Sequence, residues 1–172
     1  MNIHLKKSPA IFLIFSLTSF LVSCKEKTDR DLILDLVDDV SKFAEKKDLA
    51  GIMTTFAEDY SDFEGRGKKE TEYMINNYFK RYKGIVIHLL STRIDEINTP
   101  EASIQTEAAL SSGAAKVFRK FVKFSTENYR LNIKLIKTND TWKVKHATWR
   151  YVSLEDLYPE SLSIFNKIFN ID

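Results

Sequence analysis

Cys24 is the only thiol in a chain of 172 residues. A lone cysteine has three ordinary uses: an inert buried side chain, a nucleophile, or a point of attachment. The other groups able to exchange a proton near neutral pH are the imidazoles of His4, His88 and His146. None has a cysteine partner or belongs to an H-E-x-x-H spacing, so neither a metal site nor a cofactor is expected. His88 shares strand parity with Val86, Leu90 and Ile94. That pattern makes it either a hydrogen-bonded core residue or an imidazole aimed into a pocket beside apolar neighbours.

Position decides the use of Cys24. Lys6 and Lys7 precede a run from Pro9 to Val22 that is apolar apart from Ser16, Thr18 and Ser19, and Lys25, Glu26 and Lys27 follow at once. This is the basic and then apolar order of an export signal, too short to be a comfortable membrane span. Leu21-Val22-Ser23-Cys24 resembles the bacterial lipoprotein lipobox, which implies cleavage between Ser23 and Cys24 and acylation of the cysteine. Each buried CH₂ contributes about 0.8 kcal/mol; one acyl chain binds a membrane only marginally, whereas two or three hold it. By resemblance to the enterobacterial sorting pattern, Lys25 rather than Asp after the cysteine implies an outer-membrane anchor facing the periplasm in a Gram-negative cell. The expected organisation is a leader over 1–23, a lipidated tether over 24–28, a domain over 29–152 and a C-terminal helical extension over 153–172.

Loss of 1–23 would leave 149 residues, one domain's worth, with Lys and Arg matching Asp and Glu at 24 each. A near-neutral chain carries no global electrostatic footprint for nucleic acid, which is not expected as a partner. With Cys24 acylated no disulfide is available, so packing alone must hold the fold.

The elements follow from periodicity. Thr28 and Asp31 have capping-box spacing, and Leu32, Ile33, Leu36, Val37, Val40, Phe43 and Ala44 recur on one helical face opposite Asp35, Asp38, Asp39 and Lys42. Asp48 can cap a short second helix carrying Leu49, Ile52, Met53 and Phe56. After Gly65-Arg66-Gly67, the stripe Met74, Ile75, Tyr78, Phe79 and Tyr82 predicts a third helix, with Gly84 placed to end it in the left-handed conformation. The period then changes to 2, giving strands over Ile85 to Ile97, Ala102 to Ser111, Glu127 to Lys137 and Thr141 to Val152. Asn98-Thr99-Pro100-Glu101 and Asn139-Asp140 supply turns. In the last strand Trp142 and Val144 have one parity and Ala147, Trp149 and Tyr151 the other, which predicts a β-bulge near Lys145-His146. A bulge can re-aim His146 toward a pocket; its plainer placement is a solvated strand end. The two tryptophans read as sheet packing.

Three helices followed by four long strands is an α+β arrangement. DLAGIMTTFAEDYSDFEGRGKKETEYM resembles the helix, short strand and helix of nuclear transport factor 2-like proteins, and YRLNIKLIKTNDTWKVKHATWRYV resembles their closing hairpin. The resemblance covers about 29–152. It implies a cystatin-like cone in which a curved, mainly antiparallel sheet of four to six strands wraps the helices around a cavity open at one end.

The same resemblance supplies a catalytic alternative. Ketosteroid isomerase-like members carry a carboxylate base in an Asp-x-x-Gly stretch, where this chain has Asp62-Phe63-Glu64-Gly65. Such a base works if apolar surroundings raise its pKa. Scytalone dehydratase-like members pair a histidine with an aspartate, which implies an Asp62–His88 pair for an isomerase, dehydratase or hydrolase. Those isomerases also use a first-helix tyrosine as oxyanion donor, and here that helix offers only aliphatic residues and Phe43, so the larger electrostatic contribution is missing. Tyr60, Tyr73, Tyr78 and Tyr82 are the tyrosines that could substitute. Asp62 otherwise reads as a turn or capping carboxylate.

In AAKVFRKFVKF, Lys116, Arg119, Lys120 and Lys123 lie at i, i+3, i+4 and i+7, with Val117, Phe118, Phe121 and Val122 opposite. That segregation suits a membrane-surface or partner-binding helix. It equally suits a segment that closes the open end of the cone or extends the neighbouring strands. The reading as a whole is a non-enzymatic envelope lipoprotein that binds a small apolar ligand or another envelope protein through its cavity or sheet face, with a homodimer through the sheet as a further possible association.

Overall fold

The computed structural model describes residues 26–112 and 127–157. The leader with Ser23 and Cys24, the basic residues Lys116, Arg119, Lys120 and Lys123, and the extension beyond residue 157 lie outside the described residues.

The Thr28 Oγ1 accepts from the Asp31 N–H at 3.2 Å, and Asp31 Oδ2 accepts from the Thr28 N–H at 3.0 Å. This reciprocal box starts α1 (Asp29–Lys46) where the spacing predicts. Ile33 on its apolar face is fully buried. The helix ends at Lys47, which takes positive φ (57°). Asp48 caps α2 (Leu49–Thr54) by accepting from the Gly51 N–H at 2.8 Å.

Phe56 departs from expectation. Its spacing assigns it to the second helix, but Thr55 turns both its N–H and its hydroxyl onto the Ile52 carbonyl, at 2.9 and 2.6 Å. The Thr55 carbonyl then accepts from the Val144 N–H at 2.8 Å. The chain is thereby handed from helix to sheet, and Phe56 opens β1 (Phe56–Asp62).

The third helix, α3 (Lys68–Arg81), also ends differently. Gly84 is not its left-handed terminator; Tyr82 already adopts extended backbone (φ −106°, ψ 127°). Lys47 Nζ reaches across from the end of α1 and donates to the carbonyls of Phe79, at 2.8 Å, and Tyr82. A cation on the orphan C-terminal carbonyls does the work that a glycine cap would do.

Four long strands follow: β2 (Ile85–Asn98), β3 (Glu101–Ser112), β4 (Glu127–Thr138) and β5 (Thr141–Tyr151), then the single turn α4 (Leu154–Leu157). The sheet order is β1-β5-β4-β3-β2, with β1 parallel to β5 and every other pair antiparallel. The β4–β5 turn is Asn139-Asp140, both at positive φ (50° and 58°), as their residue types predict. Lys134 pairs with His146 and Leu135 with Val144, so Lys145 is the extra residue of a bulge. It lets Trp142 and Val144 on one side and Ala147 on the other all bury against the helices. Two register shifts in β2, at Leu90 and Asp95, bend that edge as well.

The fold is therefore α+β, with the helices held in the concavity of a curved five-stranded sheet. Ile33, Tyr60, Ile104, Leu135 and Trp142 are among the side chains of its core. Asp29, the first residue of α1, fixes the helix to the sheet: its carboxylate accepts from Lys137 Nζ at 2.8 Å, Trp142 Nε1 at 3.0 Å and Thr99 Oγ1 at 3.0 Å. The Lys137 and Trp142 hydrogen bonds hold its pKa below the usual carboxylate value despite partial desolvation. Among the described residues no helix is long and apolar enough to cross a membrane.

Candidate functional site

Between α1, α3 and the inner face of the sheet lies a cavity of about 320 Å³. Its walls are Leu36, Val37 and Val40 from α1, Met74 and Ile75 from α3, and alternate residues of every strand, including Ile87, Ala108, Leu131 and Trp149. A second concavity of about 400 Å³ shares Val40, Met74, Ile75, Leu131 and Trp149 and continues toward Tyr78, Leu110 and Tyr129. The two form one apolar cleft running the length of the helix–sheet interface.

Four hydroxyl residues interrupt the apolar wall of the inner cavity: Ser41, Tyr60, Thr71 and Thr106. Ser41 donates to the Asp38 carbonyl at 2.8 Å, and Thr106 donates to the Ser91 carbonyl at 3.0 Å, so both are committed. Thr71, one turn into α3, is buried and its Oγ1 has no hydrogen-bond partner. Tyr60 comes from β1, stacked on Phe56 with ring centroids 4.5 Å apart. Burial first, and then the charge of Asp62, push the Tyr60 phenol above its ordinary pKa. A weak hydrogen-bonding contact from Thr71 eases that shift, but it is too poorly aligned to count as a formed bond, and the Thr71 Oγ1 stays unsatisfied.

The cavity walls include neither Asp62 nor His88. Asp62 ends β1 with its carboxylate fully enclosed. It accepts from the N–H groups of Glu64 and Arg66, both at 2.9 Å, and from Arg66 Nε at 2.6 Å. Burial alone would raise its pKa, but the Arg66 pair and the two backbone donors outweigh it and hold the carboxyl below its ordinary value. That is the opposite of the shift a general base would need. The carboxylate organises the β1–α3 turn, where Gly65 takes φ 79°, a conformation open to glycine. Arg66 also lies over the Trp149 ring at 5.3 Å, and Phe63 packs edge-on against the same ring at 4.7 Å.

His88 is displaced from its expected aim by the bulge at Leu90. Ile87 and Leu89 face the cavity, and the extra residue returns Ile94 to the inner side, leaving His88 on the other parity. Asp62 and His88 thus sit on the two edge strands, at opposite ends of the strand order. His146, for which a solvated strand end is the plainer expectation, instead takes the alternative placement beside the bulge. It lines a separate polar concavity of about 580 Å³ with Ser61, Lys134, Lys145, Glu96 and Glu101, its Nδ1 3.4 Å from the Ser61 hydroxyl. Among the described residues no group of three or more His, Cys, Asp or Glu side chains is placed to hold a metal ion. The residues missed by sequence reasoning are Thr71 and the cavity role of Trp149; Tyr60 stood only among four tyrosines with nothing to select it.

No family model matches the chain, and no curated protein matches it. Solved structures do. Bdellovibrio bacteriovorus Bd1075 superposes with a TM-score of 0.59 at 19% identity over 71% of this chain, which spans 40% of that protein's length. A protein of unknown function with a cystatin-like fold from Nostoc punctiforme gives 0.58 at 17% identity, covering 76% of this chain and 97% of that one. A candidate dehydratase of the nuclear transport factor 2-like family from Streptomyces avermitilis gives 0.60 at 12% identity, covering 73% and 97%. The chain therefore has the nuclear transport factor 2-like, cystatin-like cone fold. At these identities the likeness is one of fold, and function has to be argued from the site.

Proposed function

We propose that this chain is a lipid-anchored envelope protein whose cone domain binds a small apolar ligand without transforming it. The observation that carries the reading is the cavity itself. About 320 Å³ of half-open space is walled, among the described residues, by aliphatic, aromatic, thioether and hydroxyl side chains with no carboxylate, imidazole or amine. A site of this volume and lining gains affinity by taking apolar surface out of water. Neither member of the expected acid–base pair lines it, since Asp62 is bound to Arg66 and His88 lies on the opposite strand parity. The anchoring half of the proposal is supported by Leu21-Val22-Ser23-Cys24 and the basic and apolar residues before it.

The test is mass spectrometry of organic extracts from the full chain purified out of bacterial membranes, beside an Ala108→Phe variant. Ala108 lines both parts of the cleft, so a phenyl ring there occupies the ligand's space. One class of apolar molecule enriched with the wild type and depleted from the variant is expected. Equal extracts from the two proteins would defeat the proposal.

A further inference from the structure

We propose that the cavity selects an uncharged ligand bearing one hydrogen-bond acceptor, a ketone, aldehyde or alcohol oxygen, which receives hydrogen bonds from Tyr60 and Thr71 while the apolar remainder lies along Met74, Leu131 and Trp149. This rests on the reading that the cleft holds an apolar ligand, and it specifies that ligand's chemistry.

Buried hydroxyls in native proteins are nearly always hydrogen-bonded, and one left without a partner calls for an explanation. Thr71 is 3% exposed and its Oγ1 has no partner, although the side chain lines the cavity. Beside it is the Tyr60 hydroxyl, on a side chain 4% exposed that lines the same cavity. Ser41 and Thr106 spend their protons on backbone carbonyls. Neither hydroxyl is committed to a backbone carbonyl, and their contact with one another is too poorly aligned to satisfy Thr71, so both are free to turn onto a ligand oxygen that reaches this wall. They come from different elements, β1 and α3, so the pair exists only at this point of the cavity.

Charge decides the rest. No lining residue among those described is cationic, and the Asp62–Arg66 ion pair behind Tyr60 acts on its phenol with opposite signs, the carboxylate the more strongly. A ligand carboxylate at this end would be dehydrated with no cation on the cavity wall to meet it, which is costly. A neutral carbonyl or hydroxyl oxygen accepts the same two hydrogen bonds without that cost. The Tyr60 phenol stays protonated, as a donor must, because burial and Asp62 both oppose its ionisation.

The experiment is calorimetric titration of the full chain in nonionic detergent at pH 8 with three probes: decan-2-one, pentylbenzene and decanoate. The variants are Tyr60→Phe, Thr71→Val and Thr71→Ser. Decan-2-one should bind at least tenfold more tightly than decanoate. Tyr60→Phe and Thr71→Val should each weaken the ketone by about five- to tenfold, the loss of one hydrogen bond, while Thr71→Ser stays within twofold of wild type. Pentylbenzene, with no acceptor oxygen, should bind all four proteins alike. Because Thr71→Val removes an unpaired buried hydroxyl, its melting temperature should not fall, which separates lost recognition from lost fold. Ketone affinity unchanged in Tyr60→Phe and Thr71→Val, or decanoate binding more tightly than the ketone, overturns the proposal and leaves the apolar-ligand reading standing. If neither the ketone nor pentylbenzene binds the wild type, the apolar-ligand reading itself is lost and this inference with it.

Discussion

Arg66 Nε donates to Asp62 Oδ2 at 2.6 Å, with the carboxylate wholly enclosed and the guanidinium side chain 26% exposed. The pair stands four residues apart around the turn from β1 to α3, and its guanidinium backs onto Trp149, a wall of the cavity. A residue that sequence comparison with isomerase-like proteins marks as a base is thus part of the structure that holds the cavity's shape.

Acid stability should report that pair. The folded pKa of Asp62 lies below its unfolded value, about 3.9. The stabilisation is therefore fully present above about pH 4 and is lost as pH falls through the lower folded value. Asp62→Asn keeps an acceptor for the two backbone donors but removes the buried carboxylate from Arg66, which keeps only the half-exposed Glu64 as an ion-pair partner among the described residues. The expected cost at pH 7 is roughly 2–3 kcal/mol, below the usual range for a fully buried pair because Arg66 is partly exposed. Urea unfolding at pH 7 and at steps below pH 4 should show the gap between wild type and variant narrowing as the solution becomes more acid. A gap that stays constant would mean the charge of Asp62 is not what stabilises the turn.

Deleting Lys145 should be far more damaging than replacing it. Removal of the bulge residue puts β5 in continuous register with β4, so that either Trp142 and Val144 or Ala147 and Trp149 must turn to the outer face. Lys145→Ala keeps the extra residue and loses only loose ion pairs to Asp59 and Glu101, at 3.9 and 4.0 Å. Cooperative thermal unfolding is expected for the alanine variant and no cooperative transition for the deletion.

His88→Ala tests the catalytic alternative where it is most exposed. The imidazole lies on the strand parity opposite Ile87 and Leu89, which line the cavity. Pentylbenzene affinity should stay within about twofold of wild type, and a strain lacking the gene should be fully complemented by the variant. A folded variant that fails to complement would return acid–base chemistry to consideration.

The proposed anchor has a direct readout. Cys24→Ser should abolish labelling by an alkyne analogue of palmitate and leave the leader uncleaved by the lipoprotein signal peptidase. Continued labelling of the serine variant would show that acylation is not at this residue.

What the sequence by itself determined is local. The Thr28–Asp31 box, the positive-φ turn at Asn139-Asp140 and the change from a period of 3.6 to a period of 2 are each written within a few consecutive residues. The parity break in β5 was legible for the same reason, because the apolar residues on either side of Lys145 cannot otherwise share one face. A strand of only seven residues, β1, was not visible in periodicity; Phe56 continued the helical stripe until the Val144 N–H took the Thr55 carbonyl. The aim of His88 was undecidable too, since the bulge at Leu90 is a mismatch in pairing with β3 and leaves no mark in the alternation of β2 alone. Only the tertiary structure could choose Tyr60 from the other tyrosines and set Thr71 beside it. Hydrogen-bond satisfaction depends on every group that surrounds a hydroxyl, and those groups come from helices and strands far apart in the chain.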